Sequence, residues 1–323
     1  MSMAVRIHAT GGADMLRWEH VPKPEPGPGE LLLRHEAIGL NYIDIYFRTG
    51  LYKLPHLPAV IGQEGAGIVE AVGSDVTGFA VGDRVVYAGS LGAYATHRVI
   101  HAGNVIKLPD GIDMRVAAAI TLQGLTAHYL LFRTYKVKPG DRILVHAAAG
   151  GVGLLLCQWA NHLGAEVIGV TSTAEKALLA RKHGAAHTII GHENLSAEIK
   201  RITGGEMVPV VYDSIGRVTF NASLDCLAPL GLMVSFGNSS GPVPPVELSL
   251  LSAKGSLFLT RPSLATYTAK PEIRTQMAAD LFTAIQDGVL TPHINQTFRL
   301  EQAADAHLAL EARQTTGQTV LIP

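Results

Sequence analysis

The sequence predicts an α/β fold in two parts, a barrel-type β unit and a doubly wound parallel sheet. Short apolar runs broken by glycine fill residues 30–108, as in Leu31–Ile38, Gly67–Gly73 and Gly82–Tyr87. From Asp141 the pattern changes to β-rich runs alternating with amphipathic stretches, which reads as parallel strands joined by crossover helices. The length, 323 residues, matches two domains at about 150 residues each.

The elements follow in order. Pro22, Pro24, Pro26 and Pro28 make a loop, because each proline fixes φ and removes a backbone donor. A helix is expected over 116–132, ended by the Pro139-Gly140-Asp141 turn. Strand 142–147 leads into helix 152–163, whose Val152, Leu155, Leu156, Trp159 and Leu163 recur at helical spacing. Later strands are expected at 166–171, 188–190, 208–212, 232–236 and 256–260. A helix (271–287), a short strand near Phe298, a helix (301–312) and a strand (318–322) close the chain. That tail is too short for a domain and is expected to rejoin the first unit. The domains are therefore read as 1–124 with 263–323, and 125–262.

Composition narrows the function. Hydrophobic residues are 47% and charged residues 16%, which suits a packed globular core and excludes a disordered chain. The 26 basic and 27 acidic side chains leave a formal charge of −1, so no basic excess exists to hold nucleic acid or an anionic membrane. Cys157 and Cys226 are too few for a disulfide framework or a four-cysteine zinc lobe, and they suit a reducing compartment. Met1–His8 lacks the apolar run of a signal peptide, and a cytoplasmic location is expected. The uncharged stretch 143–165 contains His146, Gln158, Asn161, His162 and four glycines, and reads as buried strand, turn and helix instead of a membrane span.

The segment Ala147-Ala148-Ala149-Gly150-Gly151-Val152-Gly153 sets glycines between a strand and a helix, where main-chain amides can hold a pyrophosphate. Gly150 gives phosphate room to approach and Gly153 lets helix and strand lie close; Ala148 replaces the first glycine of the usual G-x-G-x-x-G. The next strand ends Gly169-Val170-Thr171-Ser172-Thr173 without the carboxylate that would bind a ribose 2′-hydroxyl. Hydroxyls of Ser172 and Thr173 and the Lys176 cation suit a 2′-phosphate, so NADPH is the expected cofactor.

These features, with Gly39-Leu40-Asn41-Tyr42-Ile43-Asp44, Gly62-Gln63-Glu64-Gly65-Ala66-Gly67 and Val234-Ser235-Phe236-Gly237-Asn238-Ser239-Ser240-Gly241, resemble the quinone oxidoreductases, the zeta-crystallin-like, zinc-free branch of the medium-chain dehydrogenases. The resemblance runs nearly end to end and is similar above all to the bacterial NADPH:quinone reductases. It implies a GroES-like catalytic domain, a Rossmann domain and a homodimer joined through the Rossmann domains. It also implies cofactor contacts: Tyr42, Ile43, Asp44, Ile45, Tyr46 and Tyr129 at the nicotinamide end, and Gly151 and Val152 at the pyrophosphate. Ser172 to Lys176 would take the adenosine phosphate; Phe236, Gly237, Asn238, Ser239, Arg261, Pro262, Ser263, Leu264 and Arg313 would line the rest of the nicotinamide side. Relatives carry a tyrosine after the third Rossmann strand where this chain reads Ile190-Gly191-His192, and His192 is the substitute considered.

Zinc relatives present Cys and His where Asn41 and Gln63 stand, and amides are poor zinc ligands, so no metal is expected. His183 and His187 are four apart, but Gly184 between them is expected to end the helix. Quinones and conjugated carbonyls accept hydride without a Lewis acid when donors meet the developing oxyanion. Asn41, Tyr46, Tyr52 and Arg261 are the candidate donors. For each of the last three, and for Asp44, a plainer role stays open: Tyr46 and Tyr52 as packing, Asp44 as a loop tie, Arg261 as a hinge ion pair. A zinc-free enone or enal reductase, and a nucleotide-binding crystallin or RNA-binding protein, are the alternative functions.

Overall fold

The computed structural model describes residues 2–323 and divides them into two compact units. The first comprises Met1–Leu125, Lys270–Gln286 and Pro292–Pro323, and the second Thr126–Ala269 and Asp287–Thr291. The return of the chain that the sequence assigned to 263–323 is thus divided, with 263–269 and 287–291 in the second unit. Tyr267 explains part of this, because its ring stacks on Tyr129 at 4.5 Å and its hydroxyl accepts from Thr134.

The first unit begins with β1 (Ser2–Ile7), β2 (Arg17–Val21), β3 (Glu30–Leu40), α1 (Tyr42–Thr49) and β4 (Ala59–Val60). It continues through β5 (Glu64–Val72), β6 (Arg84–Ala88), β7 (His97–His101), β8 (Ile106–Lys107) and most of α2 (Met114–Tyr129). A three-stranded sheet has the order β2-β1-β4. The N-terminal strands were not read from the sequence, because Arg6, His8, Arg17 and His20 obscure their alternation. β3 is the spine of the larger sheet: it pairs antiparallel with both β5 and β7. Its apolar residues Leu31, Leu33 and Ile38 join Val5, Ile61, Val85 and Tyr94 in one core.

The second unit carries β9 (Arg142–Val145), α3 (Gly151–His162), β10 (Glu166–Thr171), α4 (Ala174–Lys182), β11 (Ala185–Ile190), α5 (Leu195–Ile202), β12 (Val208–Asp213) and α6 (Phe220–Leu224). β13 (Leu227–Ser235), α7 (Leu248–Ala253), β14 (Phe258–Thr260) and α8 (Leu264–Tyr267) complete it. All pairings are parallel, in the order β11-β10-β9-β12-β13-β14. Numbered within the sheet this is 3-2-1-4-5-6, the doubly wound order whose direction reverses between β9 and β12. Ligands of such sheets bind beyond the strands' carboxyl ends at that reversal, where the glycine turn after β9 lies. Leu144, Ile168, Val211, Leu224 and Met233 form the core around β9, β10, β12 and β13.

After α2 the chain turns once as a π-helix, Leu130–Thr134, closed by the Tyr135 N–H donating to the Leu130 carbonyl at 3.2 Å. The buried Tyr212 hydroxyl donates to the Leu130 carbonyl at 3.0 Å. The tail supplies α9 (Pro271–Gln286), β15 (Ile294–Arg299), α10 (Ala303–Glu311) and β16 (Gln318–Ile322), and β16 pairs antiparallel with β3. No helix among the described residues is long and apolar enough to cross a membrane.

Candidate functional site

The residues singled out in the sequence fall into a group in each unit. In the first unit they gather around α1. Asn41 precedes the helix in extended conformation, and its N–H donates to Asp44 Oδ2 at 2.9 Å, so the first turn is closed by its own carboxylate. Gly50, at φ 82°, ends the helix in the left-handed region that favours glycine.

Both ends of the Asn41 amide are engaged. Nδ2 donates to Glu64 Oε2 at 2.7 Å, and Oδ1 accepts from Gln123 Nε2 at 3.1 Å. Glu64 opens β5 and is wholly buried, and its other oxygen accepts the main-chain N–H of Leu122 in α2. Gly39 makes this approach possible. A Cβ there would lie 2.3 Å from Glu64 Oε2 and 2.2 Å from the Ala118 carbonyl oxygen. Burial pushes the Glu64 carboxyl up to about 8, against the downward pull of the bonds from Asn41 and Leu122.

Behind α1 runs a second buried chain. Arg48 Nη1 meets His307 Nδ1 at 3.2 Å; a guanidinium only donates, so the imidazole carries its hydrogen on Nε2. Nε2 therefore donates to the Tyr94 hydroxyl (2.9 Å), and Tyr94 donates to Asp44 Oδ2 (3.1 Å). Arg48 also reaches Glu311 at 2.7 Å and the Gly11 carbonyl. Burial raises Asp44 to about 7 and, with the Arg48 charge, lowers His307 to about 3. Asp44 is therefore wholly interior, and any influence it has on a ligand passes through the position of α1.

The tyrosines make an aromatic cluster. Tyr42 and Tyr46 have centroids 6.0 Å apart, and Tyr46 and Tyr52 meet edge to face at 5.3 Å. Tyr46 is buried, whereas Tyr42, Ile43 and Tyr52 are half-buried and Ile45 packs inside. Burial raises the Tyr42 hydroxyl above its usual range, and the nearby Arg313 opposes that rise.

In the second unit, Gly150 is the N-cap of α3 and brings no capping side chain to the first-turn amides. A Cβ at Gly153 would fall 2.2 Å from the Ala147 carbonyl oxygen, so the helix lies on the turn as closely as the sequence required. At Gly150 the nearest atom to such a Cβ is that oxygen, at 3.2 Å, and the face remains accessible to a phosphate. This glycine-walled helix terminus fits a dinucleotide pyrophosphate. Ser172 and Thr173 are exposed beyond β10; Thr173 Oγ1 caps α4 by accepting the Lys176 N–H at 3.2 Å, and His192 is exposed after β11. The loop 236–240 rests on the 213–216 loop, with the Phe236 N–H donating to the Asp213 carbonyl at 2.8 Å.

Arg261 Nη1 donates to the carbonyls of Ser235 (2.8 Å) and Gly237 (3.0 Å), which makes it a clamp on that loop. Pro262 follows, and Ser263 caps α8, which starts at Leu264. Tyr129 is buried in its stack with Tyr267, and Arg313 lies exposed at φ 57° after α10 in the first unit.

Sequence reasoning missed several partners. Nothing local in the sequence marks Glu64 or Gln123 as partners of Asn41; Gly39, forced by close packing, is the available signal. His146 was also missed. Its Nε2 lies 2.9 Å from Ser223 Oγ, which donates to Asp213 Oδ2 at 3.0 Å. That order leaves serine as donor to the carboxylate and histidine as donor to serine, the reverse of an activated nucleophile. Asp213 instead gathers the N–H groups of Ile215 and Gly216 and the Thr219 hydroxyl, and so shapes the loop beyond β12.

A catalytic zinc does not fit here: Asn41 and Gln63 replace sulfur and imidazole donors, and the Asn41 oxygen already accepts from Gln123. Among the described residues no three His, Cys, Asp or Glu side chains converge. His183 ends α4 and His187 lies on β11, bonded to Glu166 at 2.9 Å.

Comparison with known proteins agrees with both units. Residues 27–110 match the alcohol dehydrogenase GroES-like domain and residues 151–275 the zinc-binding dehydrogenase domain. Over their full lengths, this chain and a quinone oxidoreductase of Pseudomonas aeruginosa are 53% identical. A 2-haloacrylate reductase of a Burkholderia species is 45% identical, with 100% of this chain and 99% of that protein covered. The crystal structure of Escherichia coli quinone oxidoreductase complexed with NADPH superposes with a TM-score of 0.97 at 47% identity, covering 99% of this chain and 100% of that one. With a doubly wound sheet, a glycine turn at its reversal point and full-length identity of this order, the chain belongs to the quinone oxidoreductases of the medium-chain dehydrogenase family.

Proposed function

We propose that the protein transfers hydride from NADPH to quinones or related conjugated carbonyls without zinc. The carrying observation is the Asn41 amide, held at both ends by buried partners. Main-chain groups at Gly150, Gly151, Val152 and Gly153 hold the pyrophosphate; Ser172, Thr173, Lys176 and His192 take the 2′-phosphate. The loop Phe236–Ser239, clamped by Arg261, and residues 262–264 support the nicotinamide portion, with Tyr129 and Arg313. Bound NADPH supplies the hydride.

The chain's part in the chemistry is electrostatic. As hydride reaches the acceptor, charge collects on a carbonyl oxygen, and a preorganised N–H or O–H donor stabilises it. Asn41 Nδ2 is the principal donor; Tyr46 and Tyr52 offer hydroxyls and an aromatic wall for a flat acceptor, and Tyr42 with Ile43 and Ile45 shapes it. Water supplies the final proton, giving hydroquinone and NADP⁺. Mixing the protein with NADPH and 1,4-benzoquinone or 9,10-phenanthrenequinone should bleach the reduced-nicotinamide band. No oxidation across several quinones and enones contradicts the proposal.

A second reading, an enone or enal reductase with incidental quinone activity, is favoured by the 2-haloacrylate reductase relative. Ranking acceptors by kcat/KM separates the two. We further propose a homodimer joined through the parallel sheets. β14 is an edge strand whose Phe258 and Leu259 are exposed, and an uncovered edge of this kind is a template for pairing. Two buried, free thiols accord with work in the cytoplasm, and the charge of −1 offers little to nucleic acid.

A further inference from the structure

We propose that Glu64 is a positioning residue, which fixes the polarity of the Asn41 amide so that one Nδ2 hydrogen is left to donate to the acceptor oxygen. The inference rests on the reading above and deepens it. A primary amide has two hydrogens and one oxygen, and its two orientations are nearly equal in shape. Something must choose between them.

The choice starts from a donor that cannot turn. The main-chain N–H of Leu122 is fixed by α2 and donates to Glu64 Oε1, leaving Oε2 to face Asn41. When Glu64 is ionised, Oε2 can only accept, and Asn41 presents Nδ2 to it at 2.7 Å. The opposite end of the amide is then an oxygen, and Gln123 answers it with Nε2 at 3.1 Å. Polarity thus propagates from backbone to Glu64, to Asn41, to Gln123. The chain has a cost at its far end, because Gln123 Oε1 is buried without a hydrogen-bond partner. A buried polar atom in that condition accords with a Gln123 orientation set by Asn41. One Nδ2 hydrogen of Asn41 is spent on Glu64, and the second is its sole remaining side-chain donor.

The isostere E64Q tests this sharply. The Leu122 N–H still requires an acceptor, so the new amide turns its oxygen toward Leu122 and its NH₂ toward Asn41. Asn41 must then turn over. The expected result, read at about pH 9 where the parent Glu64 is ionised, is a folded protein in which kcat for benzoquinone falls about 100-fold, the loss typical of a displaced oxyanion donor, while KM for NADPH stays close to that of the parent. A merely structural role predicts rescue by so conservative a change. The double variant N41D/E64Q exchanges acid and amide. The carboxylate placed at position 41 then accepts both from the amide placed at position 64 and from Gln123. Its melting temperature should therefore exceed that expected from the two single variants added together, yet kcat should stay low because no donor remains. E64Q with kcat within about twofold of the parent, or a double variant no more stable than additivity predicts, overturns the inference. Because both readouts are relative to an active parent, a parent inactive with every quinone refutes the function itself and is told apart from failure of the inference.

Discussion

The Tyr94 hydroxyl donates to Asp44 Oδ2 at 3.1 Å, in the interior of the first unit. Through it the carboxylate that closes the first turn of α1 is tied to His307 and Arg48, 213 residues away in sequence in the case of the Tyr94–His307 bond. Asn41 is thereby held twice, by its main chain through Asp44 and by its side chain through Glu64. Removing the hydroxyl in Tyr94→Phe leaves Asp44 and the His307 Nε2–H each short of a partner. The expected cost is about 1–3 kcal/mol by urea unfolding, with a fall in kcat as α1 loosens. Unchanged stability would show that the buried chain does not support the helix.

Gly153→Ala should damage cofactor binding and folding together. A methyl 2.2 Å from the Ala147 oxygen must separate α3 from the turn, at about 1–3 kcal/mol, and calorimetry should show weakened NADPH binding. Parental affinity in this variant would mean that the turn does not hold the pyrophosphate.

The buried titratable groups predict how stability depends on pH. Unfolded Asp and Glu ionise near pH 4, whereas Asp44 and Glu64 are raised to about 7 and about 8, so the folded state holds more protons between those limits. Their contribution is full below about pH 4 and is lost as pH rises through the folded values. His35 and His307, lowered to about 3, act oppositely and add stability as pH rises from about 3 to 6.5. Above about pH 6.5 the carboxyl effect is left alone. Unfolding free energy should therefore be lower at about pH 8.5 than at about 6.5, and Asp44→Asn or Glu64→Gln should each flatten the decline. A parent protein equally stable at both values contradicts the account.

Lys176→Ala tests cofactor choice. A charge-assisted contact with the 2′-phosphate contributes about 1.5–3 kcal/mol, so the ratio of kcat/KM with NADPH to that with NADH should fall about 10-fold or more. An unaltered ratio would move the discrimination to Ser172, Thr173 or His192.

The fold was largely legible because its signals are local. The 3.6-residue spacing after Gly150 and the glycine turn place α3 within one residue of its observed start, and the strand at 318–322 appears at the expected position. Signals that depend on distant packing were silent. β1 and β2 carry charges on their exposed faces, and α4 and α5 lie in polar stretches whose burial is settled by the sheet beneath them. The same division holds at the site. Asn41 stood out because its residue type breaks a metal-ligand pattern, whereas Glu64 and Gln123 became visible only when β5 and α2 brought them to it. Arg261 stands out as a charge at a strand end, and its two bonds to the Ser235 and Gly237 carbonyls could be seen only in the folded chain.

The central claim is hydride transfer to a quinone in the absence of a metal. Steady-state NADPH oxidation with 1,4-benzoquinone should be measured on protein dialysed against a chelator and shown by elemental mass spectrometry to lack zinc. The parent rate should survive that treatment intact. Loss of activity on chelation, with recovery when zinc is returned, would contradict the account.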